Sequence, residues 1–319
     1  MPNNFVYETT GDEAGEFYSS EIKGKTVLIT GCTWGGLGAE AARVIAKHNP
    51  KVVVVAGRKQ EVLDDTVKKI KEETPDANVR TLVMELGSFK SVRKAAEEVN
   101  QYSEDVDVLI NNAAVVYPTY YTTEDGLEAQ FGIGHIGHFL FTNLILSRML
   151  NTGSPRVVNV SSGGHALAPI FFDDPSFKNG ETYDKYLAYG QSKTANVLFS
   201  KELTKRYKNK GLTAYSLQPG VIKTGLSRHN SFEEGPRKPV LDAWGKEVAI
   251  PVDKWKTLNQ GVATHIVAAF DPDIKDESGS YLEDSKIAND HVKPHADNEA
   301  DAEKLWTLSE ELVGQKFSL

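Results

Sequence analysis

Residues 26–46 read Thr26-Val-Leu-Ile-Thr30-Gly31-Cys32-Thr33-Trp34-Gly35-Gly36-Leu37-Gly38-Ala39-Glu-Ala-Ala-Arg-Val-Ile-Ala46: an apolar β-branched run, a glycine cluster and a helical pattern. Strand, glycine turn and helix in that order make an anion site. Glycines allow the tight turn, and the first N–H groups of the helix, unpaired and at the positive end of its dipole, favour a pyrophosphate. Gly31, Gly36 and Gly38, with the loop residues Thr33 and Leu37, are therefore candidate contacts for a dinucleotide. About twenty residues on, a site for an unphosphorylated ribose places Asp or Glu at the end of the second strand. Here that strand ends Ala56-Gly57-Arg58-Lys59. Arg58 offers a fork of donors to a 2′-phosphate and Lys59 adds charge, so NADP(H) is favoured over NAD(H).

The same alternation repeats outward from this unit. Candidate strands are Thr26 to Thr30, Val52 to Ala56, Val79 to Met84, Val106 to Ile110, Arg156 to Val160, Thr213 to Leu217 and Ser280 to Leu282. Helical patterns lie near 36–48, 60–73, 88–100, 124–150, 185–209, 257–270 and 299–313. Nearly all-apolar strands separated by helices belong to a parallel sheet covered on both faces. The expectation is an α/β chain with a single-domain Rossmann fold: a doubly wound, seven-stranded, mostly parallel sheet with helices on both faces. Residues 1–22 read as an N-terminal extension lying on the catalytic domain of residues 23–319. Residues 225–256, where Gly, Pro and charged residues interrupt every period, follow the sixth strand on the ligand-binding edge. They read as a substrate lid, and their Phe232, Val240, Leu241, Trp244, Ile250, Val252 and Trp255 suit a largely apolar substrate.

Composition bounds the partners. The chain has 319 residues, with 36 Lys and Arg against 44 Asp and Glu for a net charge of −8. That balance argues against nucleic acid or an anionic membrane as main partner. One cysteine, Cys32, excludes an intramolecular disulfide and a cysteine-cluster zinc site, and suits a reducing compartment. No run approaches the roughly 20 apolar residues of a membrane span, and the acidic first 20 residues do not read as a signal peptide. A cytoplasmic location is expected.

Tyr189-Gly190-Gln191-Ser192-Lys193 puts a tyrosine and a lysine four apart on one helix face, with Cβ atoms about 5–6 Å apart. A cation about 4 Å from the phenol, at an effective dielectric of about 20, stabilises phenolate by about 4 kcal/mol. That would bring an ordinary phenol from about 10 to near 7, the range useful to a general acid or base. Upstream, the strand ending at Val160 is followed by Ser161-Ser162-Gly163, which places a hydroxyl on the same edge.

Together these residues resemble the short-chain dehydrogenase/reductase family, and more narrowly its retinol-dehydrogenase-like, fungal-type members, over roughly residues 23–315. Gly31, Gly36 and Gly38 match the family's dinucleotide loop with one additional residue between the first two. Asn111-Asn112-Ala113-Ala114 is similar to its Asn-Asn-Ala-Gly segment, so Asn112 and Ala113 are implied to border the cofactor. Glu85-Leu86 stands at the adenine-side position. Pro219-Gly220-Val221 with Thr224 matches the segment contacting the nicotinamide end. Ser162, Tyr189 and Lys193 match the catalytic serine, tyrosine and lysine, and the resemblance further implies that Tyr189 and Lys193 touch the cofactor. Asn259-Gln260-Gly261, Gly279-Ser-Tyr-Leu282 and Lys304 to Glu310 are similar to the C-terminal half of the retinol-dehydrogenase-like members. In place of the family's catalytic asparagine stands Gly134, in Phe131-Gly-Ile-Gly134-His135-Ile-Gly-His138-Phe139. A glycine permits the helix kink made there and leaves a carbonyl free, so Gly134→Asn is expected to preserve or raise turnover. His135 and His138 are read as structural, with no metal site.

The resemblance implies an NADP(H)-dependent oxidoreductase that interconverts a carbonyl and an alcohol on a small, largely apolar molecule, with Tyr189 as acid and base. It allows a homodimer or homotetramer. The alternative from another class is a non-catalytic NADP(H)-binding regulator or redox sensor, for which Gly134 is the supporting residue. A nucleotide-sugar epimerase is disfavoured by the glycine spacing.

Overall fold

The computed structural model describes residues 3–222, 240–248 and 255–318. Thr224, Phe232, Ile250 and Val252, and with them most of the expected lid, lie outside the described residues.

Two short helices, α1 (Gly11–Phe17) and α2 (Ser19–Ile22), precede β1 (Thr26–Thr30). Then α3 (Leu37–Ala46), β2 (Val52–Gly57), α4 (Gln60–Glu73), β3 (Val79–Val83), α5 (Phe89–Asn100) and β4 (Val108–Asn111) alternate. A broken helix follows: α6 (Ala129–Phe131), a π-turn over Gly132–Ile136, and α7 (Gly137–Leu150). After it come β5 (Arg156–Val160), α8 (Lys185–Tyr207) and β6 (Thr213–Gln218). Two-residue strands β7 (Val221–Ile222), β8 (Val240–Leu241), β9 (Glu247–Val248) and β10 (Trp255–Lys256) lead to α9 (Leu258–Phe270), β11 (Tyr281–Glu283), β12 (Lys286–Ile287) and α10 (Glu299–Val313).

The main sheet has the order β12-β11-β6-β5-β4-β1-β2-β3. It is parallel throughout except for the last pair, β11 with β12. The expected seven strands are therefore eight. The extra one is two residues long and returns through the two-residue turn Asp284–Ser285, too short to leave a hydrophobic pattern. β1 lies between β2 and β4, so the chain reverses its direction of travel across the sheet there. This is the switch point at which open α/β sheets bind ligands.

Strand side chains alternate between two cores. Leu28, Val52 and Val54 face α5, α7, α8 and α10, whereas Val27, Ile29, Val53 and Val55 face α3, α4 and α9. Each such fully buried side chain contributes about 1.5–3 kcal/mol, which sets the register and so the heights at which the strands end. The break before α7 also has a local cause. Glu128, buried, accepts hydrogen bonds from Gln130 N and Phe131 N at 2.9 and 2.8 Å, starting α6 five residues later than the pattern suggests. Burial pushes its carboxyl up to about 7.

Candidate active site

The carboxyl ends of β1 to β6 frame a cleft of about 340 Å³, within the range of small-molecule sites. At one side Arg58 and Glu85 follow β2 and β3. In the middle stand the glycine loop and Asn112–Ala113. At the other side are Ser162 after β5, Tyr189 and Lys193 from α8, and Pro219–Gly220 after β6. Gly31, Thr33, Gly36, Leu37 and Leu86 line it as well.

Three expected contacts are placed differently. Gly38 is not in the lining. A Cβ there would lie 2.6 Å from Asn112 Nδ2 and 2.7 Å from Gly31 O, so its bareness lets α3 close on the loop. Lys59 is exposed at the N-cap of α4, outside the lining, and Val221 is paired with Trp255. Arg58 reaches the rim, its Nε 3.7 Å from Glu85 Oε2. Gly31 has φ +75° and a Cβ on it would meet Ala113 Cα at 2.8 Å, so the position requires glycine on both counts.

Thr30, which the sequence reading passed over, organises the centre. Its Oγ1 accepts from Asn112 N at 2.9 Å and Ala113 N at 3.0 Å, leaving its own proton for His138 Nε2 at 2.8 Å. The other ring nitrogen of His138 then donates to Gly134 O at 3.2 Å. The Gly134 carbonyl, expected to be free, is thus engaged. His135 Nε2 bonds Ser309 Oγ at 2.9 Å, and among the described residues no three His, Cys, Asp or Glu side chains come together as a metal site would require. Cys32 is buried, donates to Ile29 O at 3.2 Å, and is pushed up to about 12 by burial.

The two serines divide their work. Ser161 Oγ donates to Lys193 O at 2.7 Å, pinning α8 to the end of β5. Ser162 caps the turn Gly163–Leu167 by accepting from Gly164 N at 3.0 Å. His165 Nδ1 is 2.7 Å from Ser162 O and its Nε2 accepts from Lys293 N at 3.3 Å, so this histidine braces the serine's loop. Lys193 Nζ donates to Val160 O at 2.9 Å and lies 5.6 Å from the centre of the Tyr189 ring. Gly164 abuts that ring, since a Cβ on it would come 2.5 Å from Tyr189 Cε1.

The short-chain dehydrogenase family model matches residues 25–172. Mouse retinol dehydrogenase 13 is 36% identical over 301 residues, covering 92% of this chain and 85% of its own. The Brassica napus chloroplastic short-chain dehydrogenase TIC 32 A is 35% identical over 93% of this chain and 91% of its own. The chain belongs to the short-chain dehydrogenase family. Among solved structures, an uncharacterised protein from Mycobacterium paratuberculosis superposes with a TM-score of 0.72 at 29% identity, over 93% of this chain and 96% of that one. An Escherichia coli short-chain dehydrogenase complexed with NADPH shares the fold at a TM-score of 0.63 and 18% identity, over 84% of this chain and 99% of its own.

In this short-chain dehydrogenase the phenol and ammonium share a helix face, as the spacing suggests, but burial governs the protonation of both. Burial holds the Tyr189 phenol above its ordinary value, and the hydrogen bond with Ser162 offsets this only in part. Lys193 is itself pulled down to about 8 by burial. The expected lowering of Tyr189 by Lys193 needed a charge about 4 Å from the phenol. Here the ammonium donates to Val160 O and lies over the phenol ring, 5.6 Å from its centre.

Among the lining residues of the cleft, Val115, Val116 and Tyr117 carry no motif and Ile133 fills a variable position of one. Their signal is positional: the first three follow the end of β4 and Ile133 lies inside the π-turn, on the edge where α/β sheets bind ligands.

Proposed function

We propose that the protein is an NADP(H)-dependent oxidoreductase interconverting a carbonyl and an alcohol on a small, largely apolar substrate. The observation carrying this reading is that Ser162, Tyr189 and Lys193 line the same cleft as the glycine loop and Arg58. The cradle suits a dinucleotide: Gly36 caps α3 with no side-chain acceptor for the first N–H groups of the helix, and Arg58 supports the 2′-phosphorylated form over NAD(H). A bound nicotinamide would supply or take the hydride. Ser162 Oγ and Tyr189 Oη would hold the carbonyl oxygen, and Tyr189 would give it a proton in reduction and recover one in oxidation. Its raised phenol is protonated at neutral pH, the form that reduction uses. Val115, Val116, Tyr117 and Ile133 support an apolar substrate. The described part of 225–256 supports the lid, because Ala243 N donates to Leu167 O at 2.8 Å and the Trp244 ring meets His295 at a tilt, 5.1 Å between centres, beside the serine's loop. The buried free thiol supports a reducing, cytoplasmic compartment.

The test is NADPH and NADH consumption with a panel of aldehydes, ketones and quinones, repeated on Tyr189→Phe. The variant is expected to bind NADPH as the parent does and to lose about 10²–10⁴-fold in turnover. Near-parental turnover rejects the role of Tyr189. NADPH binding by the parent without turnover of any carbonyl favours the regulator.

A further inference from the structure

Lys256 is a buried cation outside the proposed chemistry, its side chain only 2% exposed. It sits on β10, paired with Ile222 of β7, directly behind the cleft wall made by Pro219 and Gly220. Gly220 has φ +92°, and a Cβ placed on it would lie 2.9 Å from Lys256 Cδ and 3.2 Å from Cε. The methylenes of the lysine therefore lie flat against the Gly220 α-carbon. Its Nζ donates to Asp284 Oδ1 at 2.5 Å and rests 4.4 Å from the centre of the Tyr7 ring. Asp284 and Ser285 form the two-residue turn between β11 and β12 with φ +49° and +63°, a left-handed pair that L-residues adopt at a cost. Ser285 N is held by Thr264 Oγ1 at 3.0 Å. A turn of this kind persists only where its surroundings over-determine it.

We propose that Lys256, anchored by Asp284, is a positioning residue that presses the Pro219–Gly220 segment into place at the nicotinamide end of the cleft. The proposal rests on the dinucleotide reading of that cleft. The assignment to that end follows from the sheet order: the segment after β6 lies beside Ser162 and Tyr189, and Arg58 and Glu85 lie at the far side, after β2 and β3. Neutralising Asp284 strands a buried ammonium, which must then seek water and draw its methylenes off Gly220. Replacing both partners by an apolar or neutral pair removes that pull and leaves the packing.

The experiment measures dissociation constants of NADPH and of adenosine 2′,5′-diphosphate, with NADH and ADP in parallel, for the full chain and for Lys256→Ala, Asp284→Asn and the double variant Lys256→Met with Asp284→Asn. Both single variants are expected to weaken NADPH at least fivefold and to leave the adenosine diphosphate within twofold. The double variant is expected to return NADPH to within twofold of the parent. The proposal is overturned if the singles leave NADPH within twofold, if both ligands weaken in parallel, or if the double variant does not recover. A parent that binds no dinucleotide removes the cofactor reading and this proposal together, whereas a parent that binds normally beside unaffected variants removes this proposal alone.

Discussion

At the scale of single residues, burial decides the chemistry of the cleft more than proximity does. Tyr189 and Lys193 share a helix face as their spacing demands, yet each is moved toward its neutral form, the phenol up and the ammonium down to about 8. The spacing in the sequence sets where the Cβ atoms stand, but not which acceptor the flexible lysine stem chooses, and it chooses Val160 O. A lysine lowered in the folded protein keeps its charge below that value and loses it as pH rises through it. If the charge of Lys193 serves the reaction, kcat/KM of the free enzyme falls above about pH 8, well before an ordinary lysine near 10.4 would act. In Lys193→Arg, whose guanidinium stays charged, the alkaline limb should vanish even though the absolute rate is lower. The same limb in both proteins would show that another group titrates. Ser162, Tyr189 and Lys193 were legible because their spacing and strand-end position carry a family pattern. Thr30, Gly164 and Lys256 were not, because a threonine at a strand end, a glycine in a turn or a lysine among charged neighbours means nothing until the fold supplies its partners.

At the scale of elements, strands and helices followed from hydrophobic period almost to their ends, with α4 and α10 coinciding with their expected spans. The departures occur where side chains override period: Glu128 delays α6, and a two-residue turn creates β12. The π-turn is the instructive case. It persists with glycine where the family has asparagine, with Gly137 N bonding Gly132 O across five residues, so the asparagine side chain is not what makes the kink here. Two glycines near this turn differ in what bounds them. A Cβ at Gly134 would overlap Ser192 Oγ, an atom on a rotatable bond, whereas at Gly137 it would overlap the backbone oxygen of Leu86 and lie 3.0 Å from Leu86 Cβ. Gly134→Asn is therefore expected to fold and to keep its turnover as Ser192 turns aside. Gly137→Ala must move the Leu86 backbone, which lines the cleft, at a cost of about 1–3 kcal/mol. Chemical denaturation of both variants with a reductase assay checks the contrast, and equal destabilisation would mean that the Ser192 hydroxyl is as immovable as backbone.

At the scale of the whole molecule, the N-terminal residues are tied to the sheet-covering helices by charge as well as by packing. Gly11 fits α1 against α9, where a Cβ would lie 2.5 Å from Val262 Cγ2, and Phe5, Phe17 and Tyr18 stack edge to face. The anchor is Asp12. Its carboxylate accepts from Arg43 and Lys47, each at 2.9 Å, and from Asn259 at the start of α9. Arg43 is also bonded to Glu40 and Glu73. Partial burial opposes ionisation of Asp12, but the bonds to Arg43 and Lys47 outweigh it and hold the carboxyl well below the usual range. A carboxylate lowered in the folded state adds stability above its unfolded value, near 3.9, and that stability is lost as pH falls through the folded value. Because the Asp12 side chain is 39% exposed, solvent screening leaves about 1 kcal/mol. Asp12→Asn should accordingly melt roughly 2 °C below the parent at neutral pH, and the gap should narrow as pH falls below about 4, where this carboxyl takes up a proton in the parent's unfolded chain before it does in the folded one. A gap unchanged down to about pH 3 would place the anchoring in the packing of α1 on α9, because loss of a charged partner is the only contribution of Asp12 that acid can remove from the parent.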